Sequence, residues 1–215
     1  MRCLITCGPT YENLDKVRRL TNFSTGQLGI GLANHFAAEG HEVTLFKGYY
    51  ATCADECAVR AQLFTTTEDL LTKIGSAAQT KHDAIFHAAA VSDFAFGKVF
   101  RRSTEGRLEE LSSGKFSTRD GNLLAELIPT PKIIRQLRDF FPTARIFGWK
   151  YEVDGRREDA LALGGAQIRE NRTNFSVVNG PAYGRGFGIV DESGELEHCV
   201  DRTQLYVSLL RLSTP

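Results

Sequence analysis

The 215-residue chain has no excess of charge: 26 Lys and Arg stand against 26 Asp and Glu, a formal net charge of zero. Without a basic field it lacks the electrostatic footprint of nucleic-acid binding, which leaves small molecules as the expected partners. No apolar run approaches the roughly 18 to 20 residues that span a bilayer. Met1-Arg2-Cys3-Leu4 runs straight into a strand pattern rather than a signal peptide. A cytoplasmic protein without a membrane partner is expected. The five cysteines, Cys3, Cys7, Cys53, Cys57 and Cys199, lack zinc spacing, so reduced thiols and no protein-held metal are expected. A nucleophile triad is also missing.

What is present is alternation. Short runs rich in β-branched and aromatic residues, Arg2 to Thr6, Glu42 to Phe46, Gln62 to Thr65, Ala84 to Ala88, Ile146 to Trp149 and Phe175 to Val178, read as strands. Between them lie helical patterns at Gly26 to Glu39, Glu68 to Ala78, Lys132 to Phe140 and Arg156 to Glu170. Thr66 with Asp69 resembles a capping box, Pro131 fits a first-turn proline, and Gly40 closes the first helix. The fold expected is α/β: a Rossmann-like, doubly wound, mostly parallel sheet with crossover helices, in one domain over residues 1–215. Phe187 to Asp191 and Glu195 to Val200 flank Glu192-Ser193-Gly194 as a hairpin, and a last helix runs from Arg202 to Leu212. Residues 95–122 show neither period and read as a flap at the carboxyl edge of the sheet, where open parallel sheets bind ligands.

Three places on that edge can carry chemistry. The stretch Thr21-Asn22-Phe23-Ser24-Thr25-Gly26-Gln27-Leu28-Gly29 sets glycines and small oxygen-bearing side chains ahead of a helix. It fits an anion cradle or an ordinary capped helix start. Ala88-Ala89-Ala90-Val91-Ser92-Asp93 leaves room for a ligand against the backbone, or for close helix packing with Asp93 as a cap. Lys115, in the flap, reads as a solvated loop lysine or as countercharge for a transferred group.

The glycine order argues against dinucleotides. Gly26, Gly29 and Gly31 read G-x-x-G-x-G, the reverse of the G-x-G-x-x-G fingerprint, and Phe46-Lys47-Gly48 stands where a ribose-binding acid belongs. A short-chain dehydrogenase needs a Tyr-x-x-x-Lys pair, which none of Tyr11, Tyr49, Tyr50, Tyr151, Tyr183 and Tyr206 supplies.

Taken together, Ile5-Thr6-Cys7-Gly8-Pro9-Thr10, Val17-Arg18, Asn22 to Gly26, Ala88 to Asp93, Gly114-Lys115, Pro129-Thr130-Pro131-Lys132 and Val178-Asn179 resemble the phosphopantothenoylcysteine synthetase family, in order and spacing over nearly the whole chain. The resemblance implies a ligase of coenzyme A biosynthesis that joins 4′-phosphopantothenate to L-cysteine through an acyl-nucleotide made from CTP or ATP, releasing pyrophosphate. It assigns Arg18, Asn22, Ala89, Ala90 and Asp93 to phosphopantothenate, with Arg18 reaching in from the neighbouring subunit of a homodimer. Gly8, Ser24, Thr25, Gly26, Gly29, Trp149 and Asn179 fall on the nucleotide side. Asn22 and Lys115 are the catalytic candidates. Mg²⁺ is expected with the nucleotide, flavin is not, and the decarboxylase often fused to such ligases is expected as a separate protein. A catalytically weakened binding relative is the alternative. Pro9 replaces a glycine usual in the family, Trp149 replaces a phenylalanine, and Arg169 and Arg172 are the candidates to stand in for lysines usual before Asn179.

Overall fold

The computed structural model describes residues 1–112, 114–117, 119 and 121–214. In chain order its elements are β1 (Arg2–Pro9), β2 (Tyr11–Asn13), β3 (Arg19–Thr21), α1 (Gln27–Ala38), β4 (Glu42–Gly48), β5 (Ala61–Phe64), α2 (Thr67–Ala77), β6 (Ala84–Ala90), β7 (Phe94–Arg102), β8 (Leu108–Leu111), β9 (Leu123–Pro129), α3 (Ile133–Phe140), β10 (Arg145–Tyr151), α4 (Arg157–Asn171), β11 (Phe175–Asn179), β12 (Phe187–Asp191), β13 (Gly194–Cys199) and α5 (Arg202–Ser213). The central sheet has the order β13-β12-β11-β10-β6-β1-β4-β5. It is parallel from β5 to β11, and the hairpin β12–β13 adds an antiparallel edge.

From β1 the chain winds outward through β4 and β5, then returns to β6 on the other side of β1. The switch point therefore lies between β1 and β6, and a crevice opens there at the carboxyl edge. Helices α1 and α5 pack together on one face around Ile5, Phe36, Phe86 and Phe147. On the other face α2 and α3 enclose Leu4, Phe46, Ile85 and Ile146, and α4 packs beside α3. An aromatic row runs across the first face: Phe86 stacks on Phe147 at 4.6 Å and Phe147 on Phe175 at 4.7 Å. Offset stacking of this kind adds roughly 0.5–1.5 kcal/mol per pair to the burial itself.

All six expected strands and the expected helices are present, as are the hairpin and last helix. Most strands run further at their carboxyl ends than the apolar runs do: β1 continues to Pro9, β4 to Gly48 and β6 to Ala90. Glycine, proline and alanine carry little strand signal, yet sheet pairing holds them: Gly8 pairs with Ala89 and Pro9 with Ala90. Thr66 caps α2 by accepting the Asp69 N–H at 3.2 Å, but the Asp69 carboxylate returns to the Thr65 N–H at 2.8 Å, so the box is offset by one residue. Pro131 precedes the cap residue Lys132 instead of occupying the first turn of α3. Gly40, at φ 77°, closes α1 as expected.

The flap is the main correction. Residues 95–122 were expected without regular structure, but β7, β8 and β9 form a separate three-stranded antiparallel sheet in the order β8-β7-β9. Its charges are cross-strand partners: Lys98 pairs with Glu110 at 2.8 Å, and Arg101 pairs with Glu109 directly opposite. Both faces of this arm are largely exposed, so no alternating apolar pattern marks it. A bulge between Phe96 and Val99 breaks the period further, and there the Lys98 N–H donates to Glu126 at 3.0 Å. Ser113 and Thr118 of the lysine motif lie outside the described residues.

Two helix glycines separate packing from propensity. A Cβ at Gly29 would overlap Cys7 beneath it, whereas at Gly75 the nearest atom is Phe140 at 3.8 Å. Gly29→Ala should cost about 1–3 kcal/mol as α1 is pushed off the sheet, and Gly75→Ala should add about 0.5–1 kcal/mol to stability. Urea unfolding of the two variants checks the opposite signs; equal effects would contradict the packing of α1 on β1.

Candidate active site

The turn after β1 fixes the loop above it. Gly8 and Gly26 both take left-handed backbone, at φ 79° and 80°. A Cβ on either would come within 2.9 Å of Ala51, so only glycine lets β1, the loop and the 48–51 turn close on one another. The Cys53 N–H donates to the Thr25 carbonyl at 2.9 Å and holds the loop from outside.

Gly26 is the residue that opens α1, and it offers no side chain to cap the helix. Thr25 Oγ1 accepts the Gln27 N–H at 3.3 Å, while Asn22 and Ser24 cap nothing. The capped-start reading holds only for Thr25: Asn22 Nδ2 reaches away to the Ala90 carbonyl, 3.1 Å distant at the end of β6. The first turn of α1 is left with amide hydrogens facing outward, a partial positive charge suited to an anion.

A cavity of about 260 Å³ lies there, lined by Cys7, Ser24 to Gly29, Ala88, Asn179, Phe187 and Arg202. It gathers Ser24, Thr25, Gly26, Gly29 and Asn179, five of the seven residues expected on the nucleotide side. Gly8 lies behind the loop as its seat. Trp149 is half-buried, packed against the core cluster that includes Cys7, and its indole Nε1 is buried without an acceptor among the described residues. A larger depression of about 520 Å³ lies at the opposite edge, around Arg2, Lys73 and His82, away from the strand ends that bind ligands in open sheets.

Buried threonines set the wall on the β6 side. Thr6 Oγ1 accepts the Ala89 N–H at 3.3 Å and lies 2.9 Å from His87 Nδ1. Burial pushes His87 down to about 4, so the ring is neutral, and its Nδ1 shares a hydrogen bond with the Thr6 hydroxyl. Thr10 Oγ1 accepts the Ser92 N–H at 2.8 Å, and the Thr10 N–H shares the Ala90 carbonyl with Asn22. Asn22, Ala89, Ala90 and Asp93 are thereby brought to one place. Asp93 is exposed and paired with Lys132; it caps no helix. Burial raises the Cys7 thiol to about 12, which removes it as a nucleophile.

Lys115 does not line the cavity. Its segment is tied to the turn between β2 and β3, where the Lys16 N–H donates to the Gly114 carbonyl at 3.1 Å. Asp15, which the sequence reading missed, is the clip. Its carboxylate accepts the Val17, Arg18 and Phe116 N–H groups at 2.8, 2.7 and 3.2 Å and the Arg18 guanidinium at 2.6 Å. Arg18, and after it these amides, hold the Asp15 carboxyl well below the usual carboxylate range. Arg18 also donates to the Phe116 carbonyl at 2.9 Å. Arg169 and Arg172 do not reach the cavity: Arg172 ends α4 and pairs with Asp139 at 2.8 Å, at the amino edge of the sheet. Arg202 and Phe187 were not foreseen either, because they come to the cavity through the order of the strands, which no local motif encodes.

Among the described residues no group of three His, Cys, Asp or Glu side chains can hold a metal ion, and no helix is long and apolar enough to cross a membrane.

Comparison with known proteins identifies the family and the fold. The chain is 31% identical over 180 residues to the coenzyme A biosynthesis bifunctional protein CoaBC of Thermococcus kodakarensis, covering 83% of this chain and 41% of that protein. The chain thus spans about two fifths of the length of such relatives. The crystal structure of the DNA/pantothenate metabolism flavoprotein from Streptococcus pneumoniae superposes with a TM-score of 0.84 at 24% identity, covering 99% of this chain and 97% of that one. A Cab2 variant in complex with phosphopantothenate-cysteine gives 0.71 at 19% identity, covering 99% and 86%, and shares the fold. The family model for the DNA/pantothenate metabolism flavoprotein C-terminal domain matches residues 1–196, and the chain belongs to that family.

Proposed function

We propose that this domain joins 4′-phosphopantothenate to L-cysteine in coenzyme A biosynthesis, using CTP or ATP. The observation that carries the reading is the cavity at the head of α1: Ser24, Thr25, Gly26, Gly29 and Asn179 line it together, and Asn22 stands beside it, bonded to β6.

In the first half-reaction the substrate carboxylate attacks the nucleotide α-phosphorus, the bond to the β-phosphate oxygen breaks, and pyrophosphate leaves. In the second, the cysteine amine attacks the acyl carbon, loses a proton, and expels the nucleoside monophosphate to leave an amide. Magnesium on the triphosphate neutralises charge as it develops. The chain's own contribution is position. The α1 amides hold phosphate, Asn22 orients the carboxylate, and Lys115 adds countercharge from its clipped segment.

The assembly proposed is a homodimer. Arg18 keeps its Nη1 edge outside the Asp15 clip, where it can meet a neighbour's substrate. The arm and the β2–β3 turn expose Val17, Leu20, Phe94, Leu108, Leu127 and Ile128. A strictly monomeric, fully active protein would contradict that arrangement. A binding relative with weakened catalysis is the competing reading, favoured by the placement of Arg169 and Arg172 at the far edge.

Pyrophosphate release with CTP or ATP, 4′-phosphopantothenate and cysteine should separate the two. Release that needs phosphopantothenate supports the ligase; binding without release from either nucleotide would sink it. In an active enzyme, Asn22→Ala and Lys115→Ala should each lower turnover by roughly 10²-fold or more while the far-ultraviolet spectrum is unchanged. Near-normal rates would refute their roles. Asp15→Ala should lower turnover by about tenfold, by freeing the Lys115 segment, and leave nucleotide affinity as it was. A matching loss of affinity would show that Asp15 acts elsewhere.

A further inference from the structure

The cavity at the head of α1 has one charged side chain among its lining residues, Arg202. It is the first residue of α5, a twelve-residue helix capped by Asp201, whose carboxylate accepts the Gln204 N–H at 2.9 Å. Arg202 therefore places a positive charge at the positive end of a helix, the reverse of the stabilising arrangement. Cations at helix starts are ordinarily balanced by a neighbouring acid. Among the described residues Arg202 makes no ion pair and no hydrogen bond, although the other arginine of the same helix, Arg211, pairs with Glu197 at 2.7 Å. The acid next to it in sequence is occupied: Asp201 caps the helix.

We infer that Arg202 is a nucleotide-specificity residue, whose guanidinium holds the β- and γ-phosphates of the triphosphate. This rests on the reading of the cavity as the nucleotide site. The α1 amides supply partial charge for the phosphate next to the attacking carboxylate, but a triphosphate carries about four negative charges and needs full cations as well. Arg169 and Arg172 are at the far edge, and Lys115 is outside the lining. Arg202 meets the requirement from α5, and a planar guanidinium suits two phosphate oxygens at once. An anion there also relieves the opposition between the Arg202 charge and the helix start. α5 packs on α1 where the Tyr206 hydroxyl seats over Gly31, so the starts of the two helices keep a fixed relation, and Arg202, exposed at its helix start, reaches the cavity from there.

Calorimetric titration of the full chain with CTP, ATP and CMP in the presence of Mg²⁺ tests the assignment. Arg202→Ala should weaken triphosphate binding by roughly 10- to 100-fold and CMP binding by less than about threefold, and Arg202→Lys should recover part of the loss. Unchanged triphosphate affinity, or an equal loss for CMP, would overturn the role of Arg202 and leave the nucleotide site standing. Failure of the wild-type chain to bind either triphosphate would instead overturn the nucleotide reading on which the inference rests.

Discussion

The carboxyl edge of this domain depends on the parallel pairing of β1 with β6. That register sets Cys7 beside Ala88, Gly8 beside Ala89 and Pro9 beside Ala90, so the end of each strand becomes part of the other's site. A shift by one residue would turn every side chain to the opposite face. Thr6 and Thr10 lock the register with side-chain bonds to the Ala89 and Ser92 amides. They are buried where water cannot compete, so each bond lost would leave an unpaired polar group. The loop of Asn22 to Gly29 is then seated by contact: Gly8 and Gly26 meet Ala51, and Gly29 rests on Cys7.

The distribution of glycine follows from the same constraint. Gly26 supplies a left-handed turn, Gly29 lets α1 approach β1, and Gly31 receives the Tyr206 hydroxyl of α5. The reversed spacing that argued against a dinucleotide site thus has a packing origin. Helix α1 meets the sheet at its second glycine and α5 at its third, and both helix starts look onto the same cavity.

Much of this was legible in the sequence. The alternation of β-branched runs with helical patterns encodes the doubly wound sheet, because each parallel strand must be apolar on both faces. The grouping of Ser24, Thr25, Gly26, Gly29 and Asn179 came from family resemblance, and the cavity brings these residues together. The arm was not legible, since a ribbon exposed on both faces has no need of apolar alternation; its Lys98–Glu110 and Arg101–Glu109 pairs look in sequence like loop charge. Asp15 was missed because its role depends on Phe116, about a hundred residues away in the chain. Arg202 was missed because only strand order carries α5 to the head of α1. Arg169 and Arg172 misled for the converse reason: closeness in sequence to Asn179 hides the length of β11, which separates the two edges of the sheet.

In the function proposed here the site works by placing charge: helix amides, an oriented amide side chain and a few cations, around a reaction whose leaving groups are all anions. Backbone amide resonances followed during titration with CTP and Mg²⁺ test that directly. The amides of Ser24 to Gly29, together with Asn179, should shift first and most, with saturation at one nucleotide per chain. Saturable shifts confined to the Arg2, Lys73 and His82 depression, with the Ser24 to Gly29 amides unmoved, would contradict the placement of the site.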